Sequence, residues 1–120
     1  MNNEDIKNLP VVYACAGCSG AGQIAYKMAL ELNKKGMAEM SCLAGLASKQ
    51  KSFLHKIKNR AIWIIDGCPI NCSKAILQNM NLSEAKHIRL DTLGIKKNED
   101  PENVDIEKLI EGIQSENKRE

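Results

Sequence analysis

Residues 61–72 read Ala61-Ile62-Trp63-Ile64-Ile65-Asp66-Gly67-Cys68-Pro69-Ile70-Asn71-Cys72. The first five are apolar without alternation. A strand with one wet face alternates apolar and polar side chains, whereas a strand covered on both faces does not. The run therefore predicts an interior strand of a parallel sheet. Asp66-Gly67 makes the turn that ends it. Pro69 suits the first turn of a following helix, where its missing N–H costs nothing. That helix is expected to reach about residue 80.

The chain on either side repeats the alternation. Upstream, residues 11–14 form a compact β-type run, and Gly17, Gly20 and Gly22 follow. Ile24, Ala25, Met28, Ala29 and Leu32 then recur at helical spacing, predicting an amphipathic helix over 21–35 with Gly36 as its C-terminal cap. Residues 38–43 read as a second strand, with Met40 and Cys42 on one side and Gly45 ending it. A helix over 49–59 would turn Phe53, Leu54 and Ile57 inward. Downstream, residues 87–90 suggest a weaker strand near an edge. A last helix over 104–115 aligns Ile106, Leu109, Ile110 and Ile113. The order predicts a three-layer α/β fold: an open, mainly parallel four-stranded sheet with helices on both faces, Rossmann-like or flavodoxin-like. The expected organisation is an N-terminal extension over 1–10, a single domain over 11–115 and a disordered tail over 116–120.

Such sheets place their sites beyond the carboxyl ends of the strands, where the strand order reverses. The five cysteines follow that rule. Cys15 and Cys18 come after the first strand, Cys42 at the end of the second, and Cys68 and Cys72 after the third. Cysteines kept for packing would be scattered. Cys15-x-x-Cys18 turns at Gly17. The i, i+4 relation of Cys68 and Cys72 at a helix start puts both on one face. Two such pairs supply four thiolates, enough for a closed tetrahedral zinc site. Cys42 is then a fifth member, a thiol poised beside the cluster, or a small packing residue.

Other residues have plainer readings. Gly17-x-x-Gly20-x-Gly22 is placed like a phosphate-cradling loop, yet it lacks the Lys and Ser/Thr of a P-loop and misses the dinucleotide spacing. His55 and His87 read as solvated surface groups. Met28, Met37, Met40 and Met80 read as core fillers, and Tyr13 and Trp63 as strand residues packed against helices. Asp66 is expected to cap the turn or accept from backbone N–H groups.

Composition limits the function classes. Hydrophobic residues make up 43% and charged residues 27%, as in a soluble globular domain, while aromatics at 3% leave the core to aliphatic side chains. The first nine residues lack the apolar segment of a signal peptide, and no apolar run is long enough to span a bilayer. A cytoplasmic location is expected. A reducing compartment and an odd cysteine count both disfavour a disulfide framework. A net charge of +2 gives no general attraction to polyanions. Between Glu39 and Asp66, however, there are no acids, while Lys49, Lys51, Lys56, Lys58 and Arg60 all fall there. That segment is either a solvated helix face or a docking surface for an acidic protein partner. Nucleic acid is disfavoured, because Phe53 is the one aromatic among those charges.

The segments YACAGCSGAGQIAYKMALELNKKG, MSCLAG and IDGCPINCSKA together resemble the DGC-domain family of prokaryotic proteins, named for the motif that here is Asp66-Gly67-Cys68. The likeness runs from about residue 11 to 97. It implies a small stand-alone domain whose cysteines, Cys15, Cys18, Cys68 and Cys72, with Cys42 in the middle motif, are proposed zinc ligands. It implies no reaction. Two further classes stay open. One is a thiol redox, sulfur-transfer or metal-sensing protein using the same cysteines. The other is an iron–sulfur protein, since four cysteines also suit a cluster.

Overall fold

The computed structural model describes residues 6–15, 17, 19–67, 70–82 and 84–119, the side chains of 114–119 excepted. Four strands, β1 (Val11–Ala14), β2 (Glu39–Met40), β3 (Ile62–Asp66) and β4 (Lys86–Arg89), form one sheet. Its order is β2-β1-β3-β4, and every pairing is parallel. Helices α1 (Gly20–Lys34), α2 (Leu43–Ala47), α3 (Lys51–Lys56), α4 (Cys72–Asn79) and α5 (Ile106–Arg119) connect and follow the strands. Short 3-10 turns lie at Leu90–Leu93 and Pro101–Asn103. This is the three-layer architecture expected from the alternating pattern.

The strand period of two sorts the core into two clusters. Val12, Ala14, Ile65 and Ile88 meet Ile24, Met28 and Leu32 of α1 and Ile110 and Ile113 of α5. Val11, Tyr13 and Ile64 face the other way, onto Leu46 of α2 and Leu77 of α4. β1 is buried at all four positions. Met28 is fully buried, Met37 and Met40 pack against the first cluster and Met80 against the second. Lys86 Nζ sits 5.2 Å from the centre of the Trp63 ring. No helix among the described residues is long and apolar enough to cross a membrane.

The middle of the chain departs from the sequence expectation. β2 ends at Met40, flanked by the bonds from Glu39 N–H to Pro10 O and from Ser41 N–H to Val12 O. Cys42 therefore precedes α2 as its N-cap instead of alternating within a strand. Gly45 lies inside α2, where a Cβ would come within 2.6 Å of the Phe53 ring. The glycine read as a strand terminator is thus a packing notch for Phe53. The expected long helix shrinks to α3, which has no buried residue, and Leu54 is 37% exposed instead of inward.

Candidate functional site

In this strand order the chain turns from β1 to β2 on one side and crosses to β3 on the other. The switch point is the crevice between the carboxyl ends of β1 and β3, where open α/β sheets bind ligands. Cys15 and Gly67 occupy it. Cys15 N–H donates to Ile65 O at 3.1 Å, and Gly67 N–H donates to Cys15 Sγ at 2.9 Å. Gly67 is obligatory there. A Cβ on it would lie 2.5 Å from the carbonyl of Ala21, at the start of α1.

Asp66, one residue earlier, is the hub of this edge. Its side chain is buried, and it accepts from Ser73 N–H at 2.9 Å and Lys74 N–H at 3.2 Å, closing the first turn of α4. Asn71, before the helix, has left-handed backbone (φ 56) and makes no side-chain cap, so Asp66 does the capping from the neighbouring strand. The expected role of Asp66 toward backbone N–H groups is what the structure shows. The positive end of α4 is directed at the Asp66 carboxylate, so less of it is left to stabilise a thiolate.

His87 is not the solvated group that its polar sequence context suggests. Its Nε2 lies 2.7 Å from Asp66 Oδ2, and its side chain is 15% exposed. Register explains the pairing: His87 stands opposite Ile64, so it shares the α4 face with Asp66 two residues on. Period-two alternation across adjacent parallel strands was the available signal.

The candidate ligands fall as follows. Cys15 is half-buried, while Cys42 and Cys72 are exposed, after β1, β2 and β3 respectively. Cys18 and Cys68 lie outside the described residues. Among the described residues no three His, Cys, Asp or Glu side chains converge as a metal site. A closed site thus requires Cys18 and Cys68. The donor chemistry fits zinc, and buried polar atoms flank the exposed cysteines. Ser41 Oγ precedes Cys42, Asn71 Oδ1 and Ser73 Oγ bracket Cys72, and none of these atoms has a hydrogen-bond partner among the described residues. Buried polar atoms usually find a partner, protein or water, so these three are open to one at this edge. Cys42 also lines an open groove of about 750 Å³ with Ala14, Tyr26, Phe53 and Ile76.

The glycine loop before α1 has a packing role. Ser19 Oγ caps α1 through Gly22 N–H, and Ala21 N–H donates to Lys97 O. A Cβ on Gly20 would clash with the Glu99 backbone, and one on Gly22 would lie 2.8 Å from Gly17 N. The Ala21 and Gly22 N–H groups, which a phosphate cradle would draw on, are already engaged.

The sequence profile of the DGC domain matches residues 11–113. The chain belongs to the DGC-domain family. This DGC domain is 39% identical over 105 residues to the anaerobic and virulence modulator AnvM of Pseudomonas aeruginosa, covering 85% of this chain and 80% of that protein. It is also 33% identical over 98 residues to a histidine–tRNA ligase of Acetivibrio thermocellus, covering 78% of this chain but 24% of the ligase. No solved structure matches the DGC domain significantly.

Proposed function

We propose that this DGC domain is a regulatory thiol domain that binds zinc through Cys15, Cys18, Cys68 and Cys72. The observation that carries the reading is the bond from Gly67 N–H to Cys15 Sγ across the switch point. It ties the segment entering the Cys68/Cys72 pair to the segment carrying Cys15/Cys18. An amide N–H directed at sulfur favours the thiolate, the form that ligates metal. Bound zinc would neutralise the thiolates and hold the two segments together. Four thiolates leave zinc no open position, which suits a regulator better than a hydrolase. The relative named a modulator is consistent with that role.

A second reading rests on exposure. Cys42 is solvent-exposed and borders a groove, which fits a redox, sulfur-transfer or metal-sensing thiol next to the zinc cysteines. One experiment separates the readings. The reduced chain is purified without oxygen, its metal is measured, and native protein is alkylated with and without chelator. Zinc near one equivalent, four thiols protected until chelation and Cys42 labelled throughout support both proposals. Metal-free protein, or visible absorbance with bound iron, refutes the zinc site. A Cys42 that resists labelling until unfolding removes the poised thiol while leaving zinc standing.

A further inference from the structure

The edge of the sheet opposite the cysteines carries a cleft that the metal reading does not use. Arg60 builds it. Its guanidinium donates to Leu9 O from Nε at 3.1 Å and from Nη2 at 2.9 Å, and Nη2 also reaches Ile6 O at 2.9 Å. Nη1 meets Glu39 Oε1 at 2.8 Å, and the side chain is only 9% exposed. Arg60 is therefore a structural clamp that pins the segment before β1 against the amino ends of β2 and β3. Pinning that segment brings Lys7 to a cleft of about 630 Å³, shared with His55, Lys56 and Lys58.

Charge in the cleft is unbalanced. Among the described residues Glu39 is its one acid, and it already faces two cations, Arg60 and, at 3.6 Å, Lys56. Lys7, His55 and Lys58 are exposed, and no ionic partner is found for their side chains among the described residues. We infer that this cleft docks an acidic peptide segment of a partner protein, with Lys7 and Lys58 as its principal contacts. The backbone favours a peptide over a compact phosphate group. Phosphate sites draw on converging N–H groups at a helix N-terminus or a nest. Here Lys58 N–H and Arg60 N–H are already engaged by His55 O and Ile57 O, so no such set of donors converges. Separate carboxylates along a chain can meet separate lysines without converging donors. The docking segment is thus more restricted than the basic stretch in the sequence suggests. Arg60 is used up internally, Lys56 is shared, and Lys7, from outside that stretch, joins.

The test is a titration of the isotope-labelled full chain with a capped hexaglutamate peptide, followed by amide chemical shifts. Shifts concentrated at Lys7, Ser52, His55, Lys58 and Asn59, weakening steeply with salt, are expected. Lys7→Gln with Lys58→Gln should lower affinity roughly tenfold, while Lys96→Gln with Lys97→Gln on another surface should leave it unchanged. Shifts that are absent, or equal at Lys96 and Lys97, overturn the assignment. So does tighter binding of pyrophosphate or a short oligothymidylate at the same residues. Metal content plays no part in this readout, so its result is independent of the zinc proposal.

Discussion

Tyr13 shows how a single residue can be at odds with its surroundings and still serve the fold. Its ring fills the α2/α4 side of the core and is fully buried, yet its hydroxyl has no hydrogen-bond partner among the described residues. Burial pushes the phenol above its ordinary value of 10.0. The Ser41 hydroxyl and the Arg60 guanidinium pull it part of the way back, although Ser41 makes no bond of full geometry. The folded protein therefore keeps this proton to higher pH than the unfolded chain does. The stability linked to it is complete below pH 10 and is lost as pH rises through the folded value. Tyr13→Phe should change stability at neutral pH by less than about 1 kcal/mol, because the hydroxyl it removes is unpaired. The variant should also lose less stability than the parent above pH 10. Urea denaturation at both pH values checks this, and parallel declines in the two proteins would contradict it.

Among the elements, α4 depends most on help from elsewhere. Eight residues make a marginal helix. Asn71 supplies no cap, and Asp66 reaches in from β3 while His87 holds the carboxylate from β4. One buried side chain thus joins two strands to the helix that begins with Cys72. Asp66→Ala leaves the buried Ser73 N–H without its acceptor and His87 without its partner. The expected cost is about 2–4 kcal/mol, above that of a surface cap because the pair is buried. Chemical denaturation measures it. A loss below about 1 kcal/mol would mean that solvent replaces Asp66 and that the helix start is looser than described. α2 teaches a different lesson. Leu43-Ala44-Gly45-Leu46-Ala47 is too short to show helical periodicity, and Gly45 resembles a break. Only the position of the Phe53 ring explains that glycine.

The whole molecule has cores of its own on both faces of the sheet. α5 closes one of them, helped by Lys35 Nζ at 2.9 Å from Glu107, an exposed pair that adds little by itself. A fold with this much internal packing is expected to hold together without a metal staple. If the chain holds zinc as proposed, stripping it from reduced protein should leave a cooperative thermal transition, lowered by roughly 5–10 °C through the loss of native-state binding energy. A chelated chain with no transition at all would show the metal to be part of the fold itself.

Much of this was already written in the sequence. The unbroken apolar run at residues 61–65 specified an interior parallel strand, and the helical spacing from Ile24 to Leu32 specified α1. Gly36, with φ 72, is the left-handed cap its position called for. These signals are local: side-chain period and backbone permission act within a few residues. They also carried Cys15, Cys42 and Cys72, the cysteines among the described residues, to one edge, since each follows a strand. Other features depended on distant partners. The Asp66–His87 pair needs the register of β3 against β4. The role of Gly20 needs the Glu99 backbone, and the role of Arg60 needs Ile6 and Leu9 brought beside it. Burial and hydrogen bonding between segments far apart in the chain exist only once the sheet has assembled, so tertiary structure alone decided them.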